Sequence, residues 1–172
     1  MPTLSIEPVS SPAQLQTVQT LAQEIWLAHY PGIITHAQIR YMLASGYAVE
    51  RLAADLNAGV HLDLLYIDAA PAGFSAYAGD QPGGEADLHK LYLLPAFHGL
   101  GAGSTLLQHV EDQCRLQQCA SLTLNVNKHN HRAVRAYRRN GFSIIQSVYK
   151  DIGAGFYMDD FVMTKLLRNN AS

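Results

Sequence analysis

The apolar positions of this chain change their period about a third of the way along. In the first part, Leu15, Val18, Ala22, Ile25 and Trp26 recur at helical spacing, and Ile39, Met42 and Leu43 form a second such stripe. Ser11, Pro12 and Gln14 supply an N-cap, a first helical residue and a capping-box partner for the first helix. Tyr30-Pro31-Gly32 ends that helix, and Thr35 with Gln38 forms the capping box of the next. Leu4 to Val9 reads as a strand ahead of both, and residues 46–59 fit helix or loop equally. From Val60 the pattern alternates as strands do. His61 to Ile67 and Gly73 to Ala78 flank the turn Asp68 to Ala72 as a hairpin, and Ala86 to Leu94 follows the turn Gln81-Pro82-Gly83-Gly84. Thr105 to Leu116 then reads as a helix, Ser121 to Val126 as a strand, and Asn130 to Arg139 as a helix stopped by Asn140-Gly141. Phe142 to Lys150 and Phe156 to Thr164 are the last two strands. The order β-α-α-β-β-β-α-β-α-β-β predicts a layered α/β fold, a mixed sheet flanked by helices.

Composition narrows the function classes. A chain of 172 residues with 48% hydrophobic and 15% charged residues suits one globular domain, 1–172, rather than a disordered chain. A net charge of −2 excludes the basic excess of a nucleic-acid surface, and Arg132, Arg135, Arg138 and Arg139 fit the wet face of one helix. No apolar run approaches the ~20 residues of a membrane span, and the N-terminus shows no signal-peptide pattern. Two cysteines, Cys114 and Cys119, match no zinc spacing and are too few for a disulfide scaffold. The histidines show no His-Glu-x-x-His pattern. The expectation is a cytoplasmic protein with no metal, no nucleic-acid partner and no membrane partner.

The chemistry concentrates at His98-Gly99-Leu100-Gly101-Ala102-Gly103-Ser104, between a strand and a helix. Alternating glycines there leave a row of backbone N–H groups unobstructed at the positive end of a helix dipole, which suits a phosphate. A nucleotide P-loop requires a lysine after its glycines, and none follows. A dinucleotide loop requires glycine or alanine where Ser104 stands and an acidic residue after the next strand, where Asn125 and Asn127 stand.

Leu91 to Gly103, taken whole, resembles the acetyl-CoA signature of the Gcn5-related N-acetyltransferase (GNAT) superfamily, Arg/Gln-x-x-Gly-x-Gly/Ala after a strand. Gly101 and Gly103 match its glycines, and His98 stands in place of the usual Arg or Gln. A second block, Asn130-His131-Arg132-Ala133-Val134-Arg135-Ala136-Tyr137 followed by Gly141-Phe142, is similar to the superfamily's later motif Asn-x-x-Ala-x-x-x-Tyr. The resemblance implies a mostly antiparallel central sheet, a cofactor-binding core over about 72–165 and acceptor-side helices over about 11–58.

It also implies the roles. Residues His98 to Ser104 hold the pyrophosphate of acetyl-CoA, CoA being the product. The pantetheine arm lies along the strand of Leu91 and Leu93, and the Leu93 N–H polarises the thioester carbonyl. Tyr137 protonates the leaving thiolate, although Ala133, Val134 and Tyr137 also fit the buried stripe of a helix. Asn130 contacts the cofactor arm or caps its own helix, or does both. For the general base, Glu85, Asp87 and His89 alternate along one strand face. His89 matches the place of a base histidine in some arylalkylamine acetyltransferases of the superfamily. Glu85 or Asp87 acting through water is the alternative, as is a water chain with no single base.

Two further segments, Ile25-Trp26 with His29 to Thr35 and Gly153 to Asp160, are similar to a bacterial subgroup of polyamine or small-amine acetyltransferases. Glu24, Trp26, Tyr30, Tyr157 and Asp159, with Glu85 and Asp87, are then candidate acceptor contacts, because acidic and aromatic groups suit a cationic amine. The expected activity is direct acetyl transfer from acetyl-CoA to a small-molecule primary amine, with no covalent enzyme intermediate. The alternatives are transfer to a protein or peptide amine, and a non-catalytic acyl-CoA sensor. The last strand leaves room for a homodimer by pairing or swapping.

Overall fold

A computed structural model describes residues 1–79 and 81–167. Its elements are β1 (Leu4–Pro8), α1 (Pro12–His29), α2 (His36–Gly46), α3 (Val49–Asn57), β2 (His61–Ile67), β3 (Ala70–Gly79), β4 (Glu85–Leu93), α4 (Ala102–Leu116), β5 (Ser121–Asn127), α5 (His131–Arg139), β6 (Ser143–Gly153) and β7 (Phe156–Leu166). A 3-10 turn, Pro95–Phe97, links β4 to α4. The strands pair in the order β1-β2-β3-β4-β5-β7-β6. β1–β2, β2–β3, β5–β7 and β6–β7 are antiparallel, and β4–β5 is parallel. This is the expected mixed, mostly antiparallel sheet, with one helix more than the apolar pattern defined.

The start of α1 follows its capping chemistry. The Ser11 hydroxyl accepts the Gln14 N–H at 3.2 Å, and the Gln14 side chain accepts the Ser11 N–H at 3.1 Å. At α2, the Thr35 hydroxyl accepts the Gln38 N–H at 3.1 Å. The extra helix, α3, begins after Ala48 with no side-chain cap, and Leu52 is its buried residue.

The chain divides into two compact units, Met1–Tyr77 with Lys90–Leu107 and Ala78–His89 with Gln108–Ser172. The first has two apolar clusters. Leu15, Val18, Leu21, Ala22, Ile25 and Trp26 of α1 pack with Ile39, Tyr47, Leu52, Leu62, Leu64 and Phe74. Leu65, Ile67 and Ala72 pack with Ala102 and Leu106 of α4, and Leu91 and Leu93 lie against them. This second cluster fixes the end of β4 to the start of α4. In the second unit Leu122, Leu124, Met163, Val110 and Cys114 are buried.

Gly73 marks a close approach inside the first unit. A Cβ there would run into the carbonyl oxygen of Tyr92 and lie 3.0 Å from Leu93 Cδ1. A backbone oxygen held in a sheet cannot swing aside. Gly73→Ala is therefore expected to cost about 1–3 kcal/mol, the range for overpacking, and to lower Tm by several degrees in a thermal melt.

Candidate active site

The first unit presents the glycine loop. Gly99 and Gly101 are exposed with φ of +80° and +76°, and a Cβ on either, or on Gly103, would meet nothing within 4 Å. The loop therefore faces open space. Its first helical bond runs from the Thr105 N–H to the Gly101 carbonyl at 3.0 Å, so α4 begins at Ala102, three residues earlier than the expected Thr105. Helix geometry then turns the first-turn N–H groups out of the N-terminal end. No acidic residue stands in that turn to compete for them. Leu100 is exposed and Ser104 lies on the outer side of the helix start.

His98, where the resembling signature has Arg or Gln, is half-buried and donates from Nε2 to the Leu93 carbonyl at 3.0 Å. That bond ties the loop back to the strand end and fixes the tautomer. β4 pairs with β5 from Glu85↔Ser121 to Leu88↔Leu124 and runs on to Leu93 beyond that pairing.

On the inner side of the same unit lies an aromatic group that the sequence only partly revealed. Trp26 and Tyr30 are buried, with ring centroids 4.3 Å apart, and the Tyr30 and Tyr92 hydroxyls are 3.1 Å apart. Tyr47 packs edge-on to Trp26 and Phe74. Burial, reinforced by Tyr30, pushes the Tyr47 phenol up, so it stays neutral. Lys90 holds its ammonium 4.9 Å from the Tyr47 ring, and burial pushes its pKa down against the opposing pull of Asp55. Trp26 and Tyr30 are thus core residues of this group, and Glu24 is exposed on α1. Tyr47, Tyr92 and Lys90 escaped sequence reasoning because each reads there as an ordinary strand or turn residue.

The second unit holds the remaining candidates. Asn130 is buried at the start of α5, and its side chain accepts the Ala133 N–H at 3.4 Å, so the capping role is present. Tyr137 is half-buried on α5, its ring edge-on to Phe142 at 5.6 Å. Glu85, Asp87 and His89 are exposed and Ala86 and Leu88 buried, the expected alternation along this part of β4. Arg132, Arg135, Arg138 and Arg139 are exposed on α5.

Near the β6–β7 turn, Gly153, Ala154 and Gly155 all have positive φ, as a tight hairpin connection requires. Tyr157 stacks on Tyr149 at 5.0 Å and 9°, both exposed. Asp159 is held by the Lys128 ammonium at 2.8 Å. Its neighbour Asp160, which sequence reasoning passed over, is 2% exposed. Burial first, and the Asp159 charge second, push the Asp160 carboxyl up to about 6, against Lys128 and Lys150. The signal was available in principle: adjacent strand residues face opposite ways, so only one of the two aspartates can point inward.

Cys114 is fully buried, and burial together with Cys119 pushes its thiol up to about 12. It stays protonated, which removes it as a nucleophile. Alkylation of Cys114 by a maleimide near neutral pH, mapped by mass spectrometry, is expected to run roughly a thousandfold slower in the native protein than in denaturant. Among the described residues no group of three or more His, Cys, Asp or Glu is arranged to hold a metal, and no helix is long and apolar enough to cross a membrane.

Comparison with known proteins places the chain in a family. The chain is 36% identical over 83 residues to an uncharacterized N-acetyltransferase of Mycobacterium tuberculosis, a match covering 48% of this chain and 53% of that relative. The chain thus spans about half the length of that relative. It is 27% identical over 135 residues to a spermidine N(1)-acetyltransferase of Thermoplasma acidophilum, covering 76% of this chain and 83% of the other. The crystal structure of the PaiA N-acetyltransferase from Thermoplasma acidophilum in complex with coenzyme A shares the fold, with a TM-score of 0.79 at 24% identity over 95% of this chain and 99% of that one. The acetyltransferase (GNAT) family model matches residues 20–142, most of the chain. The chain belongs to the acetyltransferase (GNAT) family.

Proposed function

We propose that this protein is an acetyl-CoA-dependent N-acetyltransferase acting on a small-molecule primary amine, a polyamine in particular. The observation that carries the reading is the loop of Gly99 to Gly103. Its positive-φ glycines face open space ahead of a helix with no acidic first-turn residue. Those features suit a pyrophosphate held by backbone N–H groups. The spermidine acetyltransferase relative supports the choice of acceptor class.

Bound acetyl-CoA supplies a thioester, and the chain's own groups do the rest. The first-turn N–H groups of α4 hold the pyrophosphate, and Leu91 and Leu93 line the pantetheine arm. The Leu93 N–H would donate to the thioester carbonyl and polarise it. The His98 bond to the Leu93 carbonyl keeps strand end and loop in register. Tyr137 donates its hydroxyl proton to the leaving thiolate, and Asn130 orders the start of the helix that carries it. His89 accepts the proton that the amine must lose, or Glu85 or Asp87 does so through water. Transfer is direct, since the buried Cys114 thiol is not a usable nucleophile. Cys114 and Cys119 are buried thiols, which suits a reducing cytoplasm.

The test is release of CoA from acetyl-CoA across a panel of spermidine, short monoamines, amino acids and peptide N-termini. Spermidine is expected to lead the panel in kcat/KM. A peptide leading it would shift the reading to protein substrates. Acetyl-CoA binding with no turnover of any amine would leave a sensor domain.

A further inference from the structure

The second unit displays a polar stripe on one face of its sheet. Paired residues on neighbouring strands share a face. The register places Asp87 beside Thr123, Thr123 beside Thr164, Asn125 beside Val162, and Asn127 beside Asp160. The Thr123 and Thr164 hydroxyls are 3.1 Å apart, which confirms the shared face. The intervening residues Leu122, Leu124 and Val126 are buried toward the other side. From Thr123 to Asn127 the stripe runs for about 13 Å at strand rise.

Asp160 closes one end of this stripe. Its Oδ1 is buried and has no hydrogen-bond partner among the described residues. The nearby cation Lys128 is committed to Asp159 at 2.8 Å, and among the described residues Asp160 makes no ion pair. A buried carboxylate without a counter-ion is costly and is kept where something else satisfies it. The groups acting on it are Asp159 of its own strand, Lys128 after β5 and Lys150 on β6. Asn127, its partner across the sheet, uses its side-chain oxygen to accept the His129 N–H at 2.9 Å, so that oxygen is already engaged.

We propose that Asp160 is the anionic anchor for an ammonium group of the acceptor, with the rest of a linear polyamine lying along the stripe toward Asp87. The inference rests on the acetyltransferase reading above and names the residue that selects its acceptor. Asp160 is a specificity residue in this account, and its carboxyl replaces water around the ammonium. Asp159, which the sequence pattern favoured for this role, is instead neutralised by Lys128.

The test measures spermidine binding to the CoA-bound protein by calorimetry, for the parent, Asp160→Asn and Asp159→Asn, with propylamine as a one-charge control. Asp160→Asn is expected to weaken spermidine binding roughly 10- to 100-fold, as loss of one partner of a buried charge pair does, and to leave acetyl-CoA affinity unchanged. Asp159→Asn is expected to change spermidine affinity by less than about threefold, as for an exposed ion pair. Parent affinity for spermidine should fall as pH drops through about 6, where Asp160 takes up a proton, and the Asp160→Asn profile should be flat there. The raised carboxyl destabilises the fold above that pH, so Asp160→Asn should melt no lower than the parent at pH 8. Equal spermidine affinity in parent and Asp160→Asn overturns the proposal, and so does failure of the parent to bind spermidine at all. Should Asp160→Asn fail to fold, the parent's pH profile decides alone, a flat profile overturning the assignment. Acetyl-CoA binding, measured on the same samples, separates either failure from failure of the acetyltransferase reading.

Discussion

Tyr137→Phe is expected to lower kcat roughly 100- to 10,000-fold, the share that a positioned proton donor supplies, while acetyl-CoA affinity stays within about twofold. The substitution deletes one oxygen and keeps the ring. The edge-on contact with Phe142 at 5.6 Å is preserved, as is the backbone bond from the Phe142 N–H to the Tyr137 carbonyl at 3.0 Å. Removing one hydroxyl costs about 1 kcal/mol, which moves Tm by only a few degrees in a chain of this length. Activity and stability therefore separate. A variant with parental kcat would reduce Tyr137 to a packing residue of α5.

The second large effect is expected at the loop, with opposite signs on fold and binding. Gly103→Asp places a carboxylate in the first turn of α4, where none stands now. A Cβ at Gly103 meets nothing within 4 Å, and the position has no positive φ, so the side chain fits. Replacing a helical glycine and adding a negative charge at a helix N-terminus both favour the fold, together by about 0.5–1.5 kcal/mol. The same charge would stand against the pyrophosphate. Two unit charges 4 Å apart repel by about 4 kcal/mol at an effective dielectric of 20, so acetyl-CoA affinity should fall at least about 100-fold. The melt and the titration together check this. A variant that binds normally would move the phosphate site off this loop. A variant that unfolds would contradict the reading of α4.

Much of the architecture was legible because local chemistry and global fold agree. Ser11 and Gln14 announce α1 and form both bonds of the box. The Gly153–Gly155 turn separates two strands as its glycines suggest. The helix Val49–Asn57 was not legible, since Ala48 offers no side-chain cap and Leu52 is its only buried residue. The early start of α4 was hidden for a related reason. Glycine is a poor helix former, yet Gly103 is helical because Ala102 and Leu106 are anchored in the cluster with Leu65 and Ile67.

The candidate site was legible wherever backbone geometry sets it. Gly99 and Gly101 do adopt the conformation that glycine alone takes easily. It was less legible where tertiary packing decides. His98 is turned back onto Leu93, a role no residue spacing reveals. The choice between Asp159 and Asp160 depends on strand phase and on where Lys128 falls, and both are properties of the folded sheet.

The most direct measurement of the central claim is a calorimetric titration of acetyl-CoA into the purified protein, with 3′-dephospho-CoA and NAD as controls. The loop reading predicts saturable binding of acetyl-CoA, retained with the dephospho form and absent with NAD. No acetyl-CoA binding, or equal binding of NAD, would contradict it.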